Sequence, residues 1–160
     1  MKITIASPED APSILALQHL AYQTEAAIYD DHTLPPLLDT LDDLTAGFAD
    51  RRFLKATDGD RIVGSVRGFH VGETCHVERL IVHPDFRRRG LGAALLLQIE
   101  TLFPTARRFE LFTGHKSHSN IRLYERLGYR TFRRECVNDK VSLAFMEKTA
   151  RGRAIRLERL

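Results

Sequence analysis

The order of strand and helix patterns predicts an α/β (α+β) protein in which helices cover a single sheet. Before residue 50, apolar residues recur mainly at helical spacing. From residue 52 onward, short apolar stretches separated by turns predominate, with two helical segments between them. The chain has 160 residues, 43% hydrophobic and 28% charged, which is near the average for globular proteins. We therefore expect one domain with a sizeable core.

The first fifty residues are predicted to form one short strand and two helical segments. Residues 2–6 alternate like a strand. Ser-Pro-Glu-Asp at residues 7–10 indicates a helix start, because serine caps helices well and proline fits the first turn. That helix is expected to end near residues 29–32. After Pro35-Pro36, residues 37–48 are predicted to form a second amphipathic helix.

Three strands are then predicted to follow one another as a meander. Residues 53–57 and 62–69 flank Asp58-Gly59-Asp60, and Asp-Gly is a favoured hairpin turn. Gly72-Glu73 turns the chain again. Residues 74–82 end in a continuous apolar run, which is typical of a central strand.

The rest of the chain is predicted to contain two helices and three strands. In chain order these are a helix at 90–103, a strand at 108–113, a helix at 119–127 and strands at 129–137 and 141–148. We assign residues 1–149 to the domain and residues 150–160 to a basic C-terminal tail.

The overall charge and the cysteine content favour a reduced protein with an anionic ligand. The net charge is +3 and the isoelectric point is about 9.1, without a clustered basic face, so no nucleic-acid partner is expected. Two cysteines do not make a disulfide framework. The scattered histidines lack accompanying ligands, so we predict no metal. No signal-peptide pattern or apolar span is seen, and we expect a cytoplasmic protein with no membrane partner.

Chemistry is concentrated in the segment from Arg87 to Gly92, which follows a strand and opens a helix. The first turn of a helix has unpaired amides and a partial positive charge, so it suits a pyrophosphate. Gly90 and Gly92 let a ligand approach the backbone, and Arg87, Arg88 and Arg89 add cationic donors. The pattern matches neither a P-loop nor the Gly-x-Gly-x-x-Gly dinucleotide fingerprint.

This segment, Arg87-x-x-Gly90-x-Gly92, resembles the acyl-CoA signature of the GNAT N-acetyltransferase superfamily, Arg/Gln-x-x-Gly-x-Gly/Ala. A second resemblance lies at residues 117–129, which look like the family's later Leu-Tyr-x-x-x-Gly-Phe/Tyr helix. The resemblance is good over residues 52–148 and covers the first fifty only in outline.

The resemblance implies a mixed, mostly antiparallel sheet of about seven strands with about four helices, since the pattern order is similar. It also implies a V-shaped opening between two parallel central strands, residues 74–82 and 108–113. Acetyl-CoA is the implied co-substrate, with its pantetheine arm paired to the backbone of residues 80–82. Homodimers are common in this fold, but no residue identifies a dimer surface.

The resemblance assigns a catalytic residue and a set of cofactor residues, and the residues at the end of the first helix add candidates for the acceptor site. Tyr124 would protonate the departing CoA thiolate, and Asn120, one turn earlier, would contact the pantetheine or the phosphates. The cofactor residues implied are Leu80, Ile81, Val82, Arg87, Arg88, Arg89, Gly90, Leu91, Gly92, Ala93, Asn120 and Tyr124. Tyr29 and His32 are candidates for the acceptor site.

The acceptor is expected to be an amine, on a small molecule or a protein, which must lose a proton before it attacks. His76 and Glu78 are candidate bases, and they share the side-chain parity of Val82 if no bulge intervenes. A water chain is the third alternative. The sequence therefore predicts an N-acetyltransferase acting in a ternary complex. The alternative is a non-catalytic acyl-CoA-binding module of the same fold.

Overall fold

Seven strands form one sheet in the computed structural model, which describes residues 1–150. The strands are β1 (Lys2–Ile5), β2 (Arg52–Asp58), β3 (Arg61–Val71), β4 (Thr74–Val82), β5 (Arg108–Gly114), β6 (Arg130–Cys136) and β7 (Ser142–Thr149). Their spatial order is β1-β2-β3-β4-β5-β7-β6. The β4–β5 pair is parallel and the other pairs are antiparallel. The predicted mixed, mostly antiparallel sheet is confirmed.

The described residues also form six α-helical segments rather than four. They are α1 (Ala11–Ala21), α2 (Gln23–Tyr29), α3 (Pro35–Leu38), α4 (Leu41–Gly47), α5 (Leu91–Thr101) and α6 (His118–Arg126). The single helix predicted at residues 37–48 was wrong, because Asp39 and Thr40 adopt extended conformations. Thr40 caps α4 by accepting a hydrogen bond from the Asp43 amide at 3.2 Å. The predicted tail lies outside the described residues except for Ala150.

The helices pack on opposite faces of the sheet. Helices α5 and α6 cover the main core, in which Leu95, Ile99 and Phe109 are buried. On the other face, Ile14 of α1 and Leu44 of α4 pack with a residue of β2. A ligand reaching the sheet between β4 and β5 therefore has a different set of side chains on each face.

A β-bulge in β4 changes which side chains share a face. Ser65 pairs with Ile81 and Arg67 with Glu78, so β4 has one extra residue between these pairs. Arg79 lies in the bulge with a φ of 52°. His76 and Glu78 were expected to share a face with Val82 if no bulge intervened. The extra residue reverses the alternation, so side chains before the bulge and side chains after it that would have shared a face lie on opposite faces. Leu80 and Val82 pack against the α5 core, whereas His76 and Glu78 face the side of α1 and α4.

The V-shaped opening is formed by the early end of the parallel pairing. Strands β4 and β5 pair only at Thr74 with Arg108, Cys75 with Phe109, and His76 with Glu110. Beyond His76, β4 continues to pair with β3, and β5 continues to pair with β7 up to Gly114. The two strands therefore present facing edges that are not bonded to each other, and the predicted splay is confirmed.

Candidate active site

The start of α5 has the geometry of an anion-binding helix end. Gly90 is its N-cap and has a φ of 81°, a left-handed conformation that disfavours residues with a Cβ. A Cβ at Gly90 would meet nothing within 4 Å, so the glycine is required by conformation rather than by crowding. The amides of Leu91, Gly92 and Ala93 lie in the first turn, where no helical carbonyl precedes them. These amides are available to a phosphate oxygen.

The guanidinium of Arg87 is hydrogen-bonded to three groups of the protein. Its guanidinium donates to the Val82 carbonyl at 3.3 Å, the Ala21 carbonyl at 3.0 Å and the Thr24 hydroxyl at 2.7 Å. These contacts attach the loop to the end of β4 and to the junction of α1 and α2. Arg87 therefore positions the loop relative to β4, α1 and α2.

Arg88 and Arg89 are exposed beside the same helix end. Arg88 has a φ of 63°, which is uncommon for a residue with a side chain. The Arg89 guanidinium lies 5.0 Å from the centre of the Phe86 ring. Both side chains remain in the position where the sequence predicted cationic donors for a bound phosphate.

Gly92 lies where α5, α6 and β4 converge. A Cβ at this position would be 3.4 Å from Leu123 and 3.9 Å from Val82, which are ordinary contact distances. The family signature allows glycine or alanine at this position, and these distances leave room for the Cβ of an alanine. The segment Leu80–Val82 ends at this point, with Ile81 and Val82 paired to β3 on one side and the opening on the other.

Tyr124 lies on α6 with 7% of its surface exposed. Its hydroxyl makes no hydrogen bond to any residue in the described part of the chain. Burial raises the pKa of Tyr124 well above its ordinary value, and the neighbouring Tyr22 and Glu25 raise it further. The phenol is therefore protonated at neutral pH, as a general acid must be.

Tyr22, at the junction of α1 and α2, was not singled out by sequence reasoning. Burial raises the pKa of its phenol, and Glu25 adds to the rise while Arg79 opposes it. Tyr22 contributes to the raised pKa of Tyr124, so the two phenols lie near one another. No local sequence pattern connects Tyr22 with Tyr124, because the two residues are far apart in the chain.

A chain of hydrogen bonds, the α2–α6 clasp, joins Glu25 and Tyr29 to Lys116 and Ser117. The Lys116 amide donates to the Tyr29 oxygen at 3.0 Å, and the Tyr29 and Ser117 hydroxyls are 2.8 Å apart. Ser117 donates to Glu25 at 2.5 Å, so Tyr29 is the donor to Ser117. A Cβ at Gly114 would lie only 1.9 Å from the Tyr29 oxygen, so this glycine lets the ring close over β5.

Two predicted site residues, Tyr29 and Asn120, make their hydrogen bonds within or beside the clasp. Tyr29 is buried and its hydroxyl is already bonded, while His32 is exposed beyond the end of α2. Asn120 is partly buried, and its amide lies 3.4 Å from both Glu25 and Thr113. Asn120 therefore lies at the edge of the opening, but its contacts are with the protein.

His76 and Glu78 lie together on the face of the sheet that α1 and α4 cover, but their partners differ. Glu78 accepts from Arg51 at 2.5 Å and from Arg67 at 3.0 Å. His76 stacks on Phe69 with ring centres 5.0 Å apart. Two arginines therefore neutralise Glu78.

Glu110 is a neighbour of His76 that sequence reasoning missed. Its carboxylate lies 3.5 Å from His76 Nδ1, across the last residue pair before β4 and β5 separate. Arg108 also contacts Glu110, at 2.8 Å. The strand at residues 108–113 was predicted, but only its register with β4 identifies Glu110 as facing His76.

Comparison with known proteins identifies the family. The profile of the Acetyltransferase (GNAT) family matches residues 14–129. The chain belongs to this family. A provisionally named acetyltransferase of Bacillus subtilis (strain 168) is 26% identical over 130 residues, which cover 81% of this chain and 88% of that protein.

Solved structures share the fold of this GNAT-family chain at low sequence identity. The crystal structure of smu.2055 from Streptococcus mutans UA159 has a TM-score of 0.80 and 17% identity, covering 93% of this chain and 99% of that one. The PaiA N-acetyltransferase of Thermoplasma acidophilum, in complex with coenzyme A, has a TM-score of 0.70 and 18% identity, with 93% and 99% covered. The fold class and the family predicted from the sequence are confirmed.

Two features are absent from residues 1–150 of this GNAT-family chain. No helix within residues 1–150 has the length and apolar character needed to cross a membrane. Within the same residues, no three or more histidine, cysteine or acidic side chains are grouped closely enough to hold a metal ion. The expected absence of a metal stays a prediction.

Proposed function

We propose that this GNAT-family protein transfers an acetyl group from acetyl-CoA to a primary amine by direct attack in a ternary complex. The observation that carries the proposal is the course of β4. Its free edge beyond His76 runs directly to the loop that opens α5 at Gly90. A long ligand with an anionic group at one end and amides along its arm matches this combination of strand edge and helix end.

The pyrophosphate is assigned to the first-turn amides of α5, with Arg88 and Arg89 beside it. The pantetheine arm is assigned to the backbone of Leu80–Val82, which would treat it as an added strand. Coenzyme A in the similar structure from Thermoplasma acidophilum supports this ligand class. Arg87 then acts through the loop that it attaches to α1 and α2.

The proposed chemistry is a single acyl transfer. The neutral amine attacks the thioester carbonyl, a C–N bond forms, and the C–S bond breaks. The amine loses one proton to a base, and Tyr124 donates a proton to the departing sulfur. The hydroxyl of Tyr124 is protonated at neutral pH and makes no hydrogen bond to the described residues, which supports the acid role.

For the base, the contacts favour His76 over Glu78. The Glu78 carboxylate already accepts hydrogen bonds from two guanidiniums, those of Arg51 and Arg67. His76 has the Glu110 carboxylate 3.5 Å from its Nδ1, an arrangement that can orient the imidazole. We therefore assign proton removal to His76, directly or through water.

The decisive experiment is an assay of CoA release from acetyl-CoA against a panel of primary amines, with acetyl-CoA binding measured separately by calorimetry. Acetylated product and stoichiometric CoA support the proposal. Tight acetyl-CoA binding without release on any amine would instead indicate the non-catalytic binding module. Failure to bind acetyl-CoA would contradict both functions.

A further inference from the structure

We infer that the acceptor is a small primary amine with an aromatic or similarly apolar body and no carboxylate next to the amine; this inference rests on the proposed function. It is carried by a cavity of about 190 Å³ at the point where β4 and β5 separate. The cavity is lined by Phe69, His76, Val77, Glu78, Glu110, Leu111, Phe112 and Phe145.

This cavity, which we call the fork cavity, is assigned to the reacting amine because of its position. His76 and Glu110 form the last pair of the parallel ladder and also line the cavity. A thioester held along the free edge of β4 would enter the opening beside them. A larger cavity of about 480 Å³ is lined by α4, its flanking turns and Arg67 of β3, with no lining residue from β5.

The size of the fork cavity limits the acceptor to a small molecule or a single side chain. Pockets for drug-sized ligands usually measure roughly 300–1,000 Å³, so about 190 Å³ is below this range. One ring with a short aminoalkyl chain is of the right order. A bulky polar acceptor would have to leave most of its surface outside.

The walls of the fork cavity match an aromatic body. Phe112 and Phe145 lie with ring centres 5.4 Å apart at an angle of 37°, and Phe69 stacks with His76 on another side. Aromatic walls favour a ring by stacking and attract a cation through the ring faces. Phe112 is 44% exposed, so its ring is accessible to a ligand in the cavity.

The charges bordering the fork cavity select against a carboxylate on the acceptor. Glu78 and Glu110 are its anionic lining residues. The nearby guanidiniums of Arg51, Arg108 and Arg133 are each already paired with a carboxylate, at 2.5, 2.8 and 2.9 Å. No arginine is among the lining residues of the cavity, so an amino acid would place its own carboxylate directly against Glu78 and Glu110, whereas a simple amine adds no anion there.

The test compares kcat/KM for matched acceptors in the CoA-release assay. We expect 2-phenylethylamine to exceed propylamine, which lacks the ring, by at least tenfold. We expect it to exceed phenylalanine, which adds only the carboxylate, by at least tenfold as well. Equal or better turnover of propylamine, phenylalanine or a peptide N-terminus would overturn the inference while leaving the proposed function intact.

Two variants with matched controls locate the preference in the fork cavity. Phe112→Ala should reduce the preference for the ring at least fivefold, and Glu110→Gln should reduce the discrimination against phenylalanine at least threefold. Phe132→Ala removes an exposed ring outside the cavity lining, and Glu147→Gln removes the other carboxylate bonded to Arg108. Both controls should keep the wild-type ratios, and equal changes in variants and controls would overturn the assignment to this cavity.

A binding measurement separates the inference from the proposed function. Calorimetry with CoA present should show 2-phenylethylamine binding more tightly than phenylalanine, and Phe112→Leu should weaken it while preserving the fold. The same ranking without any CoA release would sustain the cavity assignment and reject the transferase proposal. Release of CoA together with tighter binding of phenylalanine than of 2-phenylethylamine would support the transferase proposal and reject the cavity assignment.

Discussion

Helix α5 begins at Gly90 with first-turn amides that have no helical acceptor, whereas α6 begins beside Ser117 with its polar side chains already bonded to α2. At the start of α5 the polar groups are backbone amides that follow a glycine in the left-handed conformation, and these amides are available to a ligand. At the start of α6 the polar groups are the side chains of Ser117 and Asn120, and both are hydrogen-bonded to Glu25. The first helix start is suited to a ligand, and the second holds two parts of the protein together.

This difference predicts that a change at Gly90 has the largest effect on cofactor binding. Gly90→Glu adds strain at a φ of 81° and puts an anion where the pyrophosphate is proposed to bind. Losing two charge-assisted hydrogen bonds of about 1.5 kcal/mol each corresponds to roughly 100-fold weaker acetyl-CoA binding. Calorimetry measures this directly.

Gly72→Glu is the matched control for Gly90→Glu. Gly72 has a φ of 58° in the turn between β3 and β4, and a Cβ there also meets nothing within 4 Å. Both variants should lose about 1–2 kcal/mol of stability from the left-handed backbone. Only the Gly90 variant should lose acetyl-CoA, and equal affinities would exclude α5 as the pyrophosphate site.

The second prediction concerns the one tyrosine of α6, whose hydroxyl stays outside the clasp. Tyr124→Phe removes the proposed acid while keeping the ring, so turnover should fall by about 100-fold, the lower end for general acid catalysis. Acetyl-CoA affinity should change by less than about threefold, since no hydrogen bond of the protein is lost. Steady-state kinetics and calorimetry check the two expectations separately.

Tyr129→Phe provides the control, because Tyr129 is also a buried phenol of the same core. Its hydroxyl donates to the buried Glu100 at 2.7 Å, so its loss should lower the melting temperature rather than the turnover. Unchanged turnover in Tyr124→Phe with a good acceptor would remove this residue from the mechanism.

The sequence predicted the start of α5 well and the side-chain network poorly. Strand, turn and glycine at residues 82–92 are adjacent in the chain, so local patterns were sufficient to place the start of α5. The clasp joins Glu25 to Ser117 over 92 residues, and no local periodicity encodes such a contact. The bulge at Arg79 was equally hidden, because alternation alone does not reveal an inserted residue.

A third prediction compares the two candidate bases on β4. His76→Gln should lower kcat/KM by about tenfold or more while preserving most of the stacking on Phe69. Glu78→Gln should cost less activity but about 1–3 kcal/mol of stability, since Arg67 would lose the partner that offsets its burial. Kinetics and denaturant unfolding of both variants measure this. A larger loss of activity in Glu78→Gln than in His76→Gln would reassign the base to Glu78.

The smallest expected effect on the cofactor comes from opening the clasp. Tyr29→Phe leaves the Lys116 amide without its acceptor and Ser117 without its donor, at a cost of about 1–3 kcal/mol. Because the first turn of α5 uses none of these groups, acetyl-CoA affinity should stay within about twofold. Urea unfolding and calorimetry measure the two quantities, with Tyr129→Phe as a matched phenol outside the clasp. A large loss of cofactor affinity with little change in stability would mean that the clasp is part of the ligand site, and the contrast between the two helix starts would fail.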